Sequence, residues 1–179
     1  MKGIDAVETV SARAWPAPTS GDHYYGDHET YRLAALWMES CAAVDDWGGG
    51  FGVLRQFLKA GTAYRLIDGT AHGAVDVLTD LRAWRESADG IVLRHVLDCT
   101  QDWQLVLANA IMAFRKRLVV VTYTPDAAAT GVVRKDKGFW PLRRFNPGDL
   151  RQMMGTLLVQ DYPLYTTHPE RVYFLEKPS

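Results

Sequence analysis

The sequence predicts an α/β fold of three layers, in which a mostly parallel sheet is covered by helices and ends in an antiparallel C-terminal hairpin. Three observations lead to this prediction. Strand-like and helical segments alternate along most of the chain, which is the pattern of a parallel sheet with crossover helices. A glycine cluster follows the first strand-like segment, at residues 48–52. Near the C-terminus, two strand-like runs are joined by a short turn at residues 167–169.

Four segments have the apolar spacing of helices. In the first of them the apolar side chains form a broad stripe, and Asp27 is the predicted N-cap. The second ends at Gly61, which is placed as a C′ residue. The last begins with Asn146 as cap and Pro147 in its first turn. The predicted helices cover residues 28–41, 53–60, 102–114 and 146–154.

Seven shorter segments are predicted strands, and they cover residues 42–47, 64–68, 75–78, 90–96, 117–123, 156–165 and 171–176. The apolar run at 117–123 is typical of a central parallel strand that is buried on both faces. Only six residues separate Asp68 from Val75, whereas parallel neighbours need a crossover of about a dozen or more. Either the second crossover helix is missing or reduced, or the third strand is vestigial.

Length and composition indicate one globular domain. The chain has 179 residues, of which 47% are apolar, so it can bury an ordinary core. Residues 1–21 end in a run rich in proline and glycine, and they are predicted to form an N-terminal arm or lid. The domain itself is therefore predicted to cover residues 22–179.

Charge and cysteine content exclude several classes of protein. The formal net charge is −1 and the sequence pI is near 6.5, which argues against wholesale nucleic-acid binding. The segment from Arg115 to Arg144 is nevertheless +6. Two isolated cysteines, Cys41 and Cys99, are too few for a disulfide framework or a zinc site. Because neither a signal peptide nor a run of about 20 apolar residues is present, the sequence predicts a cytoplasmic protein without a membrane partner.

The glycine cluster has the spacing G-x-G-x-G, at Gly48, Gly50 and Gly52. Glycines between a strand and a helical segment permit a tight turn and let backbone N–H groups approach a ligand. A nicotinamide dinucleotide fingerprint requires a glycine at position 53, which is Val53 here. Asp68 follows Gly48 by 20 residues at the end of the next predicted strand. A carboxylate at that point can accept both hydroxyls of a ribose.

These residues resemble the first motif of the class I S-adenosylmethionine-dependent methyltransferases, which places an acidic residue two positions before G-x-G-x-G. Asp46 occupies that position, and residues 88–98 resemble the family's fourth-strand motif. The resemblance covers about residues 24–124. Within the family, the chain is similar to small, phage-associated members. It implies a Rossmann-like methyltransferase fold with S-adenosylmethionine as cofactor. The cofactor-binding residues that it implies are Asp46, Gly48, Gly50, Gly52, Asp68, Asp80 and Leu81.

A methyl acceptor is expected beyond the carboxyl ends of strands four and five. His95 is the predicted catalytic residue, because its intrinsic pKa suits removal of a proton from a hydroxyl near neutral pH. The alternative is a histidine that bonds a backbone carbonyl or shapes the cofactor pocket. No metal site is predicted, since too few ligands have suitable spacing. The predicted substrate-binding residues are Tyr24, Tyr25, Arg94, Tyr123 and Trp140.

The sequence favours O-methylation of a small-molecule or terminal acceptor over N-methylation of a base. Base and amide methyltransferases often carry Asn/Asp-Pro-Pro-Tyr/Phe after strand four, where this chain has residues 94–97, Arg-His-Val-Leu. If the protein binds a nucleic acid or a phosphorylated sugar, the aromatic and basic stretch at 134–144 is the expected contact. A nucleic-acid partner is not favoured. The alternative for this stretch is an exposed loop without a ligand. The rival hypothesis is a non-catalytic, methyltransferase-like binding protein that retains the fold. The sequence leaves the acceptor and the oligomeric state open.

Overall fold

The computed structural model describes residues 28–71, 75–123, 126–134, 142–165 and 169–178. Within these ranges the α-helices are α1 (Glu29–Trp37), α2 (Trp103–Ala113) and α3 (Pro147–Met154). The strands are β1 (Ala43–Trp47), β2 (Ala63–Asp68), β3 (Val77–Leu78), β4 (Ala88–Arg94), β5 (Phe114–Tyr123), β6 (Gly131–Arg134), β7 (Leu142–Arg144), β8 (Leu158–Leu164) and β9 (Glu170–Glu176).

Seven of the strands in the described ranges form one sheet, in the order β3-β2-β1-β4-β5-β9-β8. The neighbouring strands β3 and β2, β2 and β1, β1 and β4, and β4 and β5 pair in parallel. In contrast, β9 runs antiparallel to both β5 and β8. The predicted α/β class, with a mostly parallel sheet and an antiparallel C-terminal hairpin, is confirmed. Strand order reverses between β1 and β4, so the carboxyl ends of these two strands form the crevice in which ligands of open α/β sheets bind.

The hydrophobic core lies on both faces of the sheet. On one face Leu93 of β4 packs in a cluster with α2 and α3, and on the other Val92 packs in a cluster with α1. Both side chains are at most 1% exposed. A central parallel strand covered on both faces needs apolar residues at consecutive positions. This requirement accounts for the apolar runs of β4 and β5.

The connections around β3 contain few helices. Residues 69–76 join β2 to its parallel neighbour β3, and the described residues of this connection, 69–71 and 75–76, include no helix. This agrees with the predicted loss or reduction of the second crossover helix. The connection from β3 to β4, residues 79–87, is a turn rather than a helix. Asn109 of α2 holds that turn, because its Nδ2 donates to the carbonyl oxygens of Leu81 and Arg82, each at 3.0 Å.

The predicted helix at 53–60 is wrong. A 3₁₀ helix covers only Val53–Gln56. Gly52 and Gly61, with φ of +68° and +88°, bound a segment of eight residues, which is too short to be stable as an α-helix without extensive packing. Of its apolar side chains only Leu54 is fully buried.

One of the two predicted helix N-caps is confirmed, and the basic stretch includes strands that were not predicted. Asn146 caps α3 as predicted, since its Oδ1 accepts a hydrogen bond of 2.8 Å from the Gly148 N–H. The predicted cap Asp27 lies outside the described residues, and α1 begins after His28, whose side chain makes no capping bond. β6 and β7 form an antiparallel ribbon that the sequence did not predict.

Candidate cofactor and acceptor site

The turn that follows β1 has a backbone that only glycine adopts without strain at three positions. Gly48, Gly50 and Gly52 have φ of +70°, +57° and +68°. A Cβ atom on Gly48 would meet a Val96 methyl carbon at 2.6 Å. In contrast, a Cβ on Gly50 would have nothing within 4 Å among the described residues. Among the described residues Gly50 therefore faces open space at the carboxyl edge of the sheet.

Asp68 ties the end of β2 to this glycine turn. Its Oδ2 accepts a hydrogen bond of 3.2 Å from the Gly50 N–H, and its Oδ1 accepts one of 2.9 Å from the Thr70 N–H. A carboxylate has about four lone-pair sites, so these two bonds leave acceptor capacity for a ligand. The structure thus brings Asp68, at the end of β2, beside the middle glycine of the turn.

Asp46 lies beneath the turn rather than on its surface. The side chain is buried, Tyr64 Oη donates to its Oδ2 at 2.8 Å, and a Cβ on Gly49 would overlap its carboxyl group. Burial, with a smaller contribution from the nearby Asp68 carboxylate, raises the pKa of Asp46 to about 7, although the Tyr64 hydrogen bond and Arg94 oppose the shift. Because a Cβ atom would overlap the Asp46 carboxyl group, position 49 requires glycine.

Asp80 and Leu81 occupy different environments although they are adjacent in the chain. Leu81 packs against the core, and its Cδ1 lies 3.6 Å from the position of a Cβ on Gly48. Asp80 is exposed to solvent, and Arg82 donates to it from both its side chain and its backbone. The Arg82 side chain holds the pKa of Asp80 below its ordinary value. Leu81 therefore borders the glycine turn, while the Asp80 carboxylate is already paired.

Arg94 and His95, at the end of β4, both approach one buried carboxylate. Arg94 Nη2 lies 2.6 Å from Glu170 Oε1, and His95 Nε2 lies 2.5 Å from the same oxygen. The Arg94 side chain is itself buried, and it donates to Thr30 Oγ1 at 3.0 Å and Tyr31 Oη at 3.2 Å. These contacts direct Arg94 toward α1 and β9. The prediction that it contacts a substrate stays a prediction.

His95 stacks on Tyr123, the last residue of β5. The ring centroids are 3.7 Å apart, and the planes meet at 25°. The backbone N–H of Tyr123 donates to Asp98 Oδ1 at 2.9 Å. Asp98 is fully buried, and this burial raises its pKa to about 8. Val96, which follows His95, also contacts Gly48, so the pair His95–Tyr123 lies next to the glycine turn.

Several predicted features lie outside the described residues, namely Tyr24, Tyr25, Trp140 and the arm at 1–21. Within the described residues no group of three or more His, Cys, Asp or Glu side chains is arranged to hold a metal ion. The helices of that same part of the chain are all too short or too polar to cross a membrane.

Sequence reasoning missed two residues that organise the site. Glu170 is 76 positions from Arg94 in sequence, and Asn109 is 28 positions from Leu81. Neither belongs to a local motif, and each reaches the site only when β9 or α2 packs. For Glu170 a weak signal exists, since it is an acidic residue directly before the predicted strand at 171–176.

Comparisons with known proteins identify the fold. No family model matches the sequence, and no curated protein matches it. Among solved structures, the chain is similar to a 1,6-didemethyltoxoflavin-N1-methyltransferase of Burkholderia thailandensis with bound 1,6-didemethyltoxoflavin and S-adenosylhomocysteine. The TM-score is 0.68 at 16% identity, over 86% of this chain and 80% of that one.

Two further structures extend the comparison. The N-methyltransferase NodS of Bradyrhizobium japonicum, in complex with S-adenosylhomocysteine, has a TM-score of 0.64 at 13% identity, over 88% of this chain and 90% of that one. The magnesium protoporphyrin IX methyltransferase of Synechocystis PCC 6803, with bound S-adenosylmethionine, has a TM-score of 0.63 at 15% identity, over 84% and 79%. This chain therefore has the fold of S-adenosylmethionine-dependent methyltransferases.

Proposed function

We propose that this chain, with its methyltransferase fold, is an S-adenosylmethionine-dependent methyltransferase that acts on a small-molecule or terminal acceptor. One observation carries the proposal: the left-handed glycine turn after β1 faces open space at Gly50 and is bonded to the carboxylate of Asp68 at the end of β2. The names of the three structural relatives, all methyltransferases holding S-adenosylmethionine or S-adenosylhomocysteine, support the same cofactor.

The described residues fit the cofactor at three points. The backbone at residues 48–52 would approach the nucleoside, Asp68 would accept hydrogen bonds from its ribose hydroxyls, and Leu81 would contact its base beside Gly48. Asp46 supports the turn from below. When bound, the cofactor would supply a methyl group on a positively charged sulfur, and this sulfur is the leaving group when the acceptor attacks the methyl carbon in line. For such a displacement the main contribution of the protein is to position the two reactants.

His95 is the residue that we assign as general base. It lies at the carboxyl end of β4, next to the glycine turn through Val96, and it is stacked on Tyr123. A base is needed chiefly when the acceptor must lose a proton, as a hydroxyl does. The segment that bears His95 has no Asn/Asp-Pro-Pro-Tyr/Phe motif. O-methylation is therefore preferred over N-methylation of a nucleobase.

A second candidate function is a binding protein that retains the fold without catalysis. The reduced connections at 69–76 and 79–87 favour it, because within the described ranges they provide no α-helix to cover the β1–β3 side of the sheet, as a mostly parallel sheet ordinarily has. Assays of methyl release with a panel of hydroxyl and amino acceptors distinguish the two. Methyl transfer to any acceptor supports the enzyme, whereas cofactor binding without transfer to any of them supports the binder.

The proposed cofactor site is tested by calorimetric titration with S-adenosylmethionine, S-adenosylhomocysteine and NAD. We expect the first two to bind and NAD not to bind. Gly50→Val should weaken binding at least 100-fold, because a branched side chain would fill the open space and strain the turn. Asp68→Ala should weaken it about 10-fold or more through the lost ribose contacts.

The matched control for Gly50→Val is Gly61→Val. Gly61 also has a positive φ, +88°, and open space around its Cβ position, but it lies before the amino end of β2. This variant should lose stability and keep its affinity for S-adenosylhomocysteine. Equal affinity in Gly50→Val and the unmodified chain would overturn the cofactor site.

A further inference from the structure

Glu170 is a buried carboxylate at the acceptor side of the site. It is the first residue of β9, it pairs with Tyr123 at the end of β5, and it is 0% exposed. Two consecutive residues at the end of β4 approach its Oε1, with Arg94 Nη2 at 2.6 Å and His95 Nε2 at 2.5 Å. A salt bridge needs only one of these partners, so the second one requires its own explanation.

The backbone of His95 is held in an unusual conformation. Its φ is +57°, and within the described residues no other non-glycine residue has a positive φ. Its N–H donates to the Val121 carbonyl at 2.9 Å, and its ring stacks on Tyr123. Left-handed backbone at a residue other than glycine costs free energy and persists at sites where the geometry serves a function. Here the conformation brings the imidazole to Glu170.

The short distance favours a proton on the ring nitrogen that faces Glu170. An ionised carboxylate oxygen 2.5 Å from Nε2 repels a lone pair on that nitrogen, which favours the ring forms that carry a proton on Nε2. The Nε2–H direction departs from the line to Oε1, and the contact is an ion-pair approach rather than a well-aligned hydrogen bond. Such misalignment is common in catalytic pairs before the reactants bind. In the neutral ring the lone pair is then on Nδ1.

We propose that Glu170 is a positioning residue that keeps His95 in its Nε2–H tautomer, so that Nδ1 is the atom that takes the acceptor's proton. This inference rests on the proposed function. In the step it serves, the acceptor O–H proton passes to Nδ1 and the oxygen forms the new bond to the methyl carbon. The electron pair of the broken carbon–sulfur bond stays on sulfur. Glu170 stabilises the imidazolium that results.

Other groups around His95 set the balance of charge. Arg94, on the same chain segment, opposes a second positive charge beside it, and Tyr123 packs on the ring from β5. Asp98 follows β4, and its buried carboxyl is bonded to the Tyr123 N–H. Glu170 on β9 is the carboxylate that directly faces the imidazole among the residues described. Its removal should therefore disfavour the imidazolium.

The test is a measurement of the tautomer of His95 by long-range ¹H–¹⁵N correlation on protein labelled at histidine. The chain has five histidines, and His95→Asn assigns the signal, because asparagine tolerates a positive φ better than most residues. We expect His95 of the unmodified chain to be the Nε2–H tautomer above its titration. A predominant Nδ1–H tautomer would overturn the proposal, and this readout needs neither a variant at Glu170 nor a known acceptor.

Two variants sharpen the test. Glu170→Gln should give a mixture of the two tautomers and should move the titration of His95 to lower pH. Glu176→Gln, at the other end of β9 and paired with Arg117, should leave both unchanged. An unchanged tautomer and titration in Glu170→Gln would contradict the proposal. Calorimetry with S-adenosylhomocysteine on the same samples separates this result from a failure of the proposed function, since cofactor binding does not depend on the His95 tautomer.

Discussion

The two halves of the candidate site are built in different ways. At the ends of β1 and β2 the site is made of backbone: glycines with positive φ, one bridging carboxylate at Asp68 and open space at Gly50. At the ends of β4, β5 and β9 it is made of side chains: Arg94 and Glu170 are buried against each other, and His95 contacts both Glu170 and Tyr123. The first half is open, and the second is densely bonded.

This difference shows which part of a site tolerates which change. A backbone turn fails when a side chain is added to it, because the strain and the filled space act together. A buried ion-pair network fails when one partner is removed, since the other charge is left without compensation. The following four experiments test this contrast, from the largest expected effect to the smallest.

Leu93→Asp should unfold the protein, because Leu93 lies in β4, the strand that joins the two halves by pairing with β1 on one side and β5 on the other. It is fully buried between β1 and β5, and an unpaired carboxylate there costs several kcal/mol. Thermal denaturation followed by circular dichroism measures the effect. Leu105→Asp, at an exposed position of α2, is the control and should change stability by less than about 1 kcal/mol. A wild-type melting temperature in Leu93→Asp would contradict the placement of β4.

Arg94→Met should lower the free energy of unfolding by about 3–5 kcal/mol, because Glu170, in the half of the site at the ends of β4, β5 and β9, is then a buried charge without its guanidinium partner. Chemical denaturation measures this loss. The double variant Arg94→Met with Glu170→Met should recover part of it. Arg32→Met, which breaks the exposed pair with Glu29, should cost no more than about 1 kcal/mol. Equal losses for the two arginines would show that the buried network is not a distinct region.

Asp46 should make the ligand-free protein less stable as the pH rises from about 4 to 7. Burial raises its pKa to about 7, so the folded chain holds a proton that the unfolded chain has already lost, and stability decreases until both states are ionised. The decrease is a few kcal/mol at most, at about 1.4 kcal/mol per pKa unit. Asp98, with a pKa of about 8, has the same sign.

The contribution of Asp46 is isolated by comparing the unmodified chain with Asp46→Asn in urea at pH 5 and pH 8. The difference in stability between these two pH values should be smaller in the variant. A difference of the same size in both proteins would mean that Asp46 is not buried beneath the glycine turn.

Asn109→Leu should have the smallest effect, about 1–2 kcal/mol, because two carbonyl groups of the turn at 81–82 lose their donor. Since Leu81 borders Gly48, we also expect a loss of a few-fold in affinity for S-adenosylhomocysteine. Urea denaturation and calorimetry measure the two effects. Gln104→Leu, at an exposed position of α2, is the control. An unchanged affinity in Asn109→Leu would separate the 81–82 turn from the cofactor site.

The contrast between the halves also explains how much the sequence could predict. The glycine turn and Asp68 were predictable because their chemistry depends on local spacing along the chain. The sheet class and the C-terminal hairpin were predictable from apolar patterns. Glu170 was not, since its partners Arg94 and His95 meet it only through the pairing of β5 with β9. The helix at 53–60 was mispredicted because apolar spacing does not report how much of a short segment is buried.

The most direct test of the account is a crystal structure of the protein with S-adenosylhomocysteine. We expect the nucleoside to lie over Gly50, with the ribose hydroxyls within hydrogen-bonding distance of Asp68 and the sulfur directed toward His95. A nucleoside bound elsewhere, or a glycine turn whose open space is filled by side chains of the protein itself, would contradict it.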